Sequence, residues 1–309
     1  MQTIEITIAN SNRRLDKFLF AYLNAAPENF IYKMLRKKNI TLNGVRAKGA
    51  ELLSAGDNVQ LFLADETIDK FRKRREIAVA KALNGIIYED EDLLVINKPQ
   101  GMPSHGGMSK KDDHLLGRVL FYLQSSGAYN PSDAFVPALC NRLDVNTSGL
   151  VVCGKSLHAL QLINSIFAKQ ALDKEYLTVA EGEVGEVGKT CVLRGFYQKE
   201  SNLNIAKIIQ TKTETAVTTA YTVLAVSADK KYTLLSVNPI TGRSHQIRAH
   251  FAAIGHVLAG DKKYGAKPFK YSQSQLLHCM CISIPQLEQK WEAALPKNFQ
   301  KCVDELFER

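Results

Sequence analysis

Three short stretches carry side chains that can do chemistry. The first is Asn141-Arg142-Leu143-Asp144-Val145-Asn146-Thr147-Ser148-Gly149-Leu150, a carboxylate in a polar loop with an arginine two residues before it. The Thr-Ser-Gly that follows is suited to hydrogen-bond the loop backbone and hold a sharp turn. Alone, this arrangement equally fits an ordinary surface-turn aspartate, since loops are where such residues usually sit. The second is Ile240-Thr241-Gly242-Arg243-Ser244-His245-Gln246-Ile247-Arg248-Ala249-His250-Phe251. Here Thr-Gly-Arg-Ser supplies a turn and helix start whose free backbone N–H groups favour an anion. His245 and Arg248, three apart, share one face, while Ile247, Phe251 and Ile254 form an apolar stripe on another. The third, Lys174-Glu175-Tyr176-Leu177-Thr178-Val179, sets a tyrosine on a strand between polar neighbours, where a core tyrosine is the plain alternative.

Metal chemistry is not expected. His245, His250 and His256 are spaced by five and six, which misses the i, i+4 pattern of helical zinc sites. His278-Cys279-Met280-Cys281 lies in an apolar, strand-like run and reads as buried thiols. The six cysteines are scattered without a C-x-x-C pair, as expected of reduced thiols in a cytosolic chain.

The elements that must position these residues follow from periodicity. An alternating start, Thr3–Ile8, precedes Leu15, Phe18, Leu19, Tyr22 and Leu23, which fall on one helix face. Pro27 fits the first position of a second helix over residues 27–38, with Ile31 and Leu35 inward and Lys33, Arg36, Lys37 and Lys38 near its end. Asn43-Gly44 marks a tight turn between short strands, and Ala55-Gly56-Asp57 turns into a strand at Asn58–Leu63. Residues 65–85, with the run Lys70–Arg75, read as a charged linker with some helix. Beyond them strands are expected at Ile86–Tyr88, Asp92–Asn97, Phe135–Leu139, Leu150–Cys153, Tyr176–Ala180, Thr219–Val226 and Tyr232–Val237, and helices at 156–170 and 244–254. Many strands with few helices predict an α+β catalytic domain, residues 86–309, on a mixed or antiparallel sheet.

With 309 residues, 45% hydrophobic and 23% charged, the chain can bury a sizeable core and suits two domains. Its net charge of +9 makes an anionic partner plausible without choosing among nucleic acid, membrane and solubility. Residues 1–75 hold 14 Lys/Arg against 8 Asp/Glu, so two thirds of the surplus sits in the first quarter. The N-terminus lacks a basic-then-apolar signal pattern, and no uncharged apolar run nears the roughly 20 residues of a membrane span. A soluble, cytoplasmic chain that avoids membranes is the expectation.

Residues 1–64 resemble the RNA-binding module named after ribosomal protein S four. The resemblance is carried by Arg14-Leu15-Asp16, Met34-Leu35-Arg36-Lys37, Leu42-Asn43-Gly44 and Ala55-Gly56-Asp57. A solvated helix face is the bland reading of such cations. It weakens because Lys33, Arg36, Lys37 and Lys38 gather at a helix end beside Arg46 and Lys48 of the next hairpin.

From Gly85 onward the chain resembles the RluA family of pseudouridine synthases. The quoted carriers are Tyr88-Glu89-Asp90, Leu94–Pro99, Gly101-Met102-Pro103-Ser104-His105, Arg142-Leu143-Asp144, Thr147–Leu150, Lys174-Glu175-Tyr176 with Gly182, Thr241–Arg248, Gly255-His256, Gly260-Asp261 and Tyr264-Gly265. Ordered motifs over some 180 residues are far more specific than any one of them. An N-terminal module of this kind points within the family to the branch acting on large-subunit ribosomal RNA. The resemblance implies isomerisation of selected uridines, with 23S ribosomal RNA as partner, no cofactor, and a monomer. It assigns Asp144 as the catalytic carboxylate, whether it attacks ribose, adds to the base or abstracts a sugar proton. Arg248 would keep that carboxylate ionised in a closing pocket. Tyr176 would stack on uracil, its hydroxyl able to take the ring-carbon proton. Arg142 would meet the RNA backbone or fill the gap of the flipped base, and Lys174 is a weaker candidate. The family pattern has His before Arg-Leu-Asp, where this chain has Asn141; no proton transfer in the scheme needs it. A catalytically inactive ribosome-assembly factor and a transfer-RNA synthase are the alternatives. A nucleoside hydrolase would need a second carboxylate that no motif supplies.

Overall fold

A computed structural model describes residues 1–107, 112–200, 205–211 and 215–307. The first elements are β1 (Gln2–Glu5), α1 (Leu15–Tyr22), α2 (Glu28–Arg36), β2 (Ile40–Leu42), β3 (Val45–Arg46), β4 (Asn58–Leu61) and α3 (Asp65–Phe71). The strands form an antiparallel sheet in the order β1-β4-β2-β3. Leu15, Phe18, Leu19, Tyr22 and Leu23 are all buried, as their helical spacing requires, with Ile31 and Leu35 of α2 in the same cluster. Pro27 stands just outside α2, with ψ 144°, so the helix opens one residue later than the sequence suggests. Asn43 and Gly44 both take positive φ, 51° and 77°, which the two-residue hairpin turn demands.

The basic run after α3 is less free than its composition implies. The Arg72 guanidinium stacks over Tyr22 at 4.3 Å, and Arg75 donates to the carbonyls of Ala21 and Asp133. Ile68 and Phe71 of α3 pack with the N-terminal core.

The remaining elements are β5 (Ile86–Glu89), β6 (Leu93–Lys98), α4 (Leu115–Ser125), β7 (Ala138–Leu139), β8 (Ser148–Gly154), α5 (Leu157–Ala168), β9 (Asp173–Glu181), β10 (Thr190–Glu200), β11 (Ile205–Ile209), β12 (Ala216–Val226), β13 (Tyr232–Pro239), α6 (Gln246–Ala253), β14 (Leu277–Ile284), β15 (Gln289–Glu292) and α7 (Lys297–Phe307). One large sheet runs β11-β10-β12-β13-β9-β14-β8-β6-β5, with β15 added to β14 and β7 to β8. Every pairing is antiparallel except β14 with β8, where His278 faces Ser148 and Cys279 faces Gly149. That parallel seam joins two antiparallel halves, giving the mixed α+β sheet. Gly149 makes the seam possible: its φ is +112°, and a Cβ there would collide with the Cys279 backbone. On one side of the seam, α4 and α5 cover β6 and β8 with Val119, Leu123, Ala159 and Ile163. On the other, Ile247 and Phe251 of α6 pack on Tyr221, Leu235 and Val237. Ile254 ends α6 half exposed and outside that stripe.

Candidate active site

Asp144 lies in the loop between β7 and β8, at the seam, and that loop is held from several directions. Ser104 Oγ donates to the Leu143 carbonyl at 2.8 Å and accepts from its N–H at 3.1 Å. Lys98, at the end of β6, is fully buried and donates to the carbonyls of Pro99, Met102 and Val145 at 3.0, 2.8 and 3.1 Å. Burial pulls its ammonium down to about 8, with the Asp144 charge opposing the shift. The Thr-Ser-Gly segment works differently from expectation. Thr147 N–H does close the turn onto the Asp144 carbonyl at 3.0 Å, but its hydroxyl accepts from Gln275. Ser148 Oγ donates to His278 Nδ1 at 2.9 Å, because His278 Nε2–H is taken by the Ala293 carbonyl. These side chains therefore tie the loop to β14 and the turn preceding it.

Arg248, in the first turn of α6, reaches the carboxylate. Its Nη1 donates to Asp144 Oδ2 at 3.1 Å, while Nε and Nη2 bind Asp261 at 2.7 and 2.8 Å. Its side chain is 5% exposed and that of Asp261 1%, so this is a buried two-pronged pair with Nη1 turned to Asp144. Burial would lower the guanidinium, but the bonds to Asp261 and then Asp144 outweigh it and raise its pKa. Tyr264 lies under the guanidinium, 5.0 Å from ring centroid to carbon. Its hydroxyl exchanges hydrogen bonds with the backbone of Ala206 on β11, and burial pushes it to about 12. His245 precedes α6 in the left-handed region, φ 57°, with Nε2 3.6 Å from Asp144 Oδ2. Burial lowers its pKa against the pull of that carboxylate.

Tyr176 sits on β9 opposite Cys279 of β14, one strand from the Asp144 loop. Burial first, then Cys279 and Asp144, raises its phenol well above the ordinary value, so it is a protonated phenol at neutral pH. Arg142 and Arg243 are exposed and, among the described residues, make no side-chain hydrogen bond or ion pair. The expected anion-binding turn is partly filled: Gln246 Oε1 accepts from Arg243 N–H and Thr241 Oγ. Lys174, on the same face of β9 as Tyr176, has its ammonium lowered by burial and lies close to Gly242. Asn141 is occupied elsewhere, its carboxamide bonding the Leu150 carbonyl and the Val152 N–H of β8.

The structure thus gathers Asp144, Tyr176, Arg248, Arg142 and Arg243 at one seam. Lys33, Arg36, Lys37, Lys38, Arg46 and Lys48 form a separate exposed set on α2 and its hairpin, with no ion pair among the described residues. Sequence reasoning did not foresee Asp261 as the anchor of Arg248, Lys98 as a loop clamp, or Tyr197 of β10, whose phenol feels Arg243 and Asp144. Gly260-Asp261 and Asn97-Lys98-Pro99 were visible only as members of an ordered set of motifs.

Comparison with known proteins identifies the family. The sequence model of the family described as RNA pseudouridylate synthase matches residues 92–253. Ribosomal large subunit pseudouridine synthase C of Escherichia coli (strain K12) is 30% identical over 282 residues, 87% of this chain and 81% of that protein. The protein of that name from Vibrio vulnificus (strain CMCP6) is 29% identical over 323 residues, covering 99% and 96%. The solved human RNA Pseudouridylate Synthase Domain Containing 4 shares the fold, with a TM-score of 0.56 and 22% identity over 72% of this chain and 92% of that one. With its motifs in order across the matched region and the catalytic-type loop at the seam of a pseudouridine-synthase sheet, the chain belongs to the RNA pseudouridylate synthase family and is an RNA pseudouridine synthase.

Proposed function

We propose that the chain isomerises specific uridines of 23S ribosomal RNA, with Asp144 as its essential catalytic group. The carrying observation is the Asp144–Arg248–Asp261 chain, in which the guanidinium Nη1 donates to the carboxylate while Nε and Nη2 hold a buried anchor. Breaking the ribose–nitrogen bond, turning the ring and rejoining it through carbon requires no redox change. The site therefore has to bind a flipped uridine, keep water out and handle one proton. Asp144 performs the first covalent or proton-abstracting step, and Arg248 fixes its orientation and charge. Tyr176 stacks on the base. Because its phenol is protonated, it takes the ring-carbon proton only by passing its own on, and Asp144 is the nearby carboxylate whose charge it feels. Arg142 and Arg243 hold the RNA strand on either side of the flipped nucleotide.

Residues 1–64 carry the RNA-binding domain, α3 of the 65–85 segment adds to its core, the rest of that segment connects, and 86–309 form the catalytic domain. The six cations on α2 and the β2–β3 hairpin neutralise phosphates. The enzyme works as a cytoplasmic monomer; among the described residues no helix is long and apolar enough to cross a membrane. The test is to map pseudouridines by chemical labelling in total RNA from cells with and without the gene. Loss of signal at one or a few large-subunit positions is expected. Loss only in transfer RNA rejects the ribosomal assignment, and no loss anywhere rejects the substrate altogether.

A further inference from the structure

Beside the catalytic loop lies an open groove of about 410 Å³ that the mechanism above does not use. Its walls are Asn146, two residues past Asp144, the Gln100-Gly101 turn, the loop 270–274 and Asn298 at the start of α7. Two residues span at most about 7 Å of chain, so the Asn146 wall of the groove stands within that backbone distance of Asp144. No carboxylate lines it: the polar groups are carboxamides, hydroxyls and Lys270. Such a surface tolerates a polyanion and can read base edges.

Part of the amide set is committed to structure and part is free. Gln100 Nε2 donates to Ser274 Oγ at 3.0 Å and to the Gln275 carbonyl at 3.1 Å, leaving its oxygen only a long 3.5 Å contact from Asn298. Gln273 Oε1 accepts from Lys262 Nζ at 2.7 Å, and its Nε2 has no partner among the described residues. The Asn146 carboxamide, likewise among the described residues, has none at either end. Two donors and two acceptors on planar amides match the edge of a base. Lys262 and Lys270 at the rim, the latter in an exposed pair with Glu305, can meet a phosphate. A volume near the lower end of the roughly 300–1,000 Å³ typical of ligand sites is enough for one nucleotide.

We propose that this groove binds one unpaired nucleotide of the substrate RNA adjacent to the target uridine, and that its carboxamides contribute to target selection by reading that base. The proposal rests on the RNA pseudouridine synthase activity, and its test keeps the two apart. Full-length wild type, Gln273→Ala and Asn146→Ala are compared on a stem-loop carrying a mapped target uridine. A companion series has each unpaired neighbour of the target made abasic in turn. On intact RNA each variant should weaken Kd roughly 5- to 20-fold, the size of one or two hydrogen bonds. One abasic position should produce a similar loss in wild type and remove the further effect of Gln273→Ala, which lies outside the catalytic loop. Wild type remaining active while Gln273→Ala binds normally, or while all losses simply add, overturns the groove assignment alone. Failure of wild type to isomerise the intact RNA overturns the activity reading, and the groove proposal with it.

Discussion

Two sets of cations in this molecule do opposite things with the same charge. At the seam, Arg248 and Lys98 are buried and donate to Asp261, Asp144 and three carbonyls. On α2 and its hairpin, Lys33, Arg36, Lys37, Lys38, Arg46 and Lys48 are exposed and unpaired among the described residues. A buried charge must be paired, and the pairing fixes its position to within a hydrogen bond. An exposed charge keeps its rotamer freedom and acts through a screened field. On the function proposed above, the first arrangement serves chemistry and the second serves capture of a polyanion.

The largest effect should come from Asp144→Asn, which retains volume and fold but removes the carboxylate proposed to react. Activity should fall by several orders of magnitude with RNA affinity intact. Residual turnover within about tenfold of wild type, only about 1.4 kcal/mol of barrier, would reject Asp144 as the essential group. Next, Tyr176→Phe keeps the ring and loses the hydroxyl, so single-turnover assays should show near-normal binding with product formation reduced about a hundredfold, close to 3 kcal/mol. Full activity would leave the ring as a platform only.

Asp261→Asn attacks the buried pair without touching substrate. It should cost up to about 3 kcal/mol of stability, since an under-compensated guanidinium stays buried. It should also lower kcat more than it raises KM, because Arg248 loses its anchor and Asp144 its orientation. A drop in melting temperature with unchanged kcat would make the pair purely structural.

Neutralising the six exposed cations to Gln should leave the melting curve almost unchanged. If about four of them meet phosphates, the slope of log affinity against log salt flattens by about 3. An unaltered slope would assign the patch to solvation. The smallest effect is pH dependence at Lys98. Burial lowers its pKa from 10.5 to about 8, so the charged ammonium destabilises the fold, and its contribution to stability rises as pH climbs between those values. Activity should move the other way through pH 8, because a neutral amine has two N–H donors for three carbonyls. Stability and activity falling together there would place the alkaline limb on another group.

Much of the architecture is legible in the chain. The spacing of Leu15, Phe18, Leu19, Tyr22 and Leu23 specifies α1, because a helix with one apolar face must bury it. Most interior strands stand where apolar runs placed them. The missed elements have weak local signals. Helix α4 carries Gly117, which is needed because a Cβ there would press on Val79 at 2.6 Å, a tertiary requirement that lowers helix propensity. Strand β10 is half exposed along most of its length, so its alternation is diluted, and at Phe135–Leu139 only Ala138–Leu139 pairs. In the run Lys70–Arg75, Arg72 and Arg75 found partners in Tyr22, Ala21 and Asp133 that no local pattern announces.

The same division runs through the site. The order of the motifs pointed by itself to the family and singled out Asp144, because ordered motifs over some 180 residues are far more specific than any one of them. The tertiary structure decided which groups meet: Arg248 and Asp144 are 104 positions apart, and Lys98 clamps a carbonyl 47 positions away. It also decided that Ser148 would answer to His278 across the seam, and that the Asn146 carboxamide would be left free beside an open groove. Hydrogen bonds and ion pairs fall off within a few ångströms, and such proximity between distant positions exists only once the sheet has closed β8 onto β14.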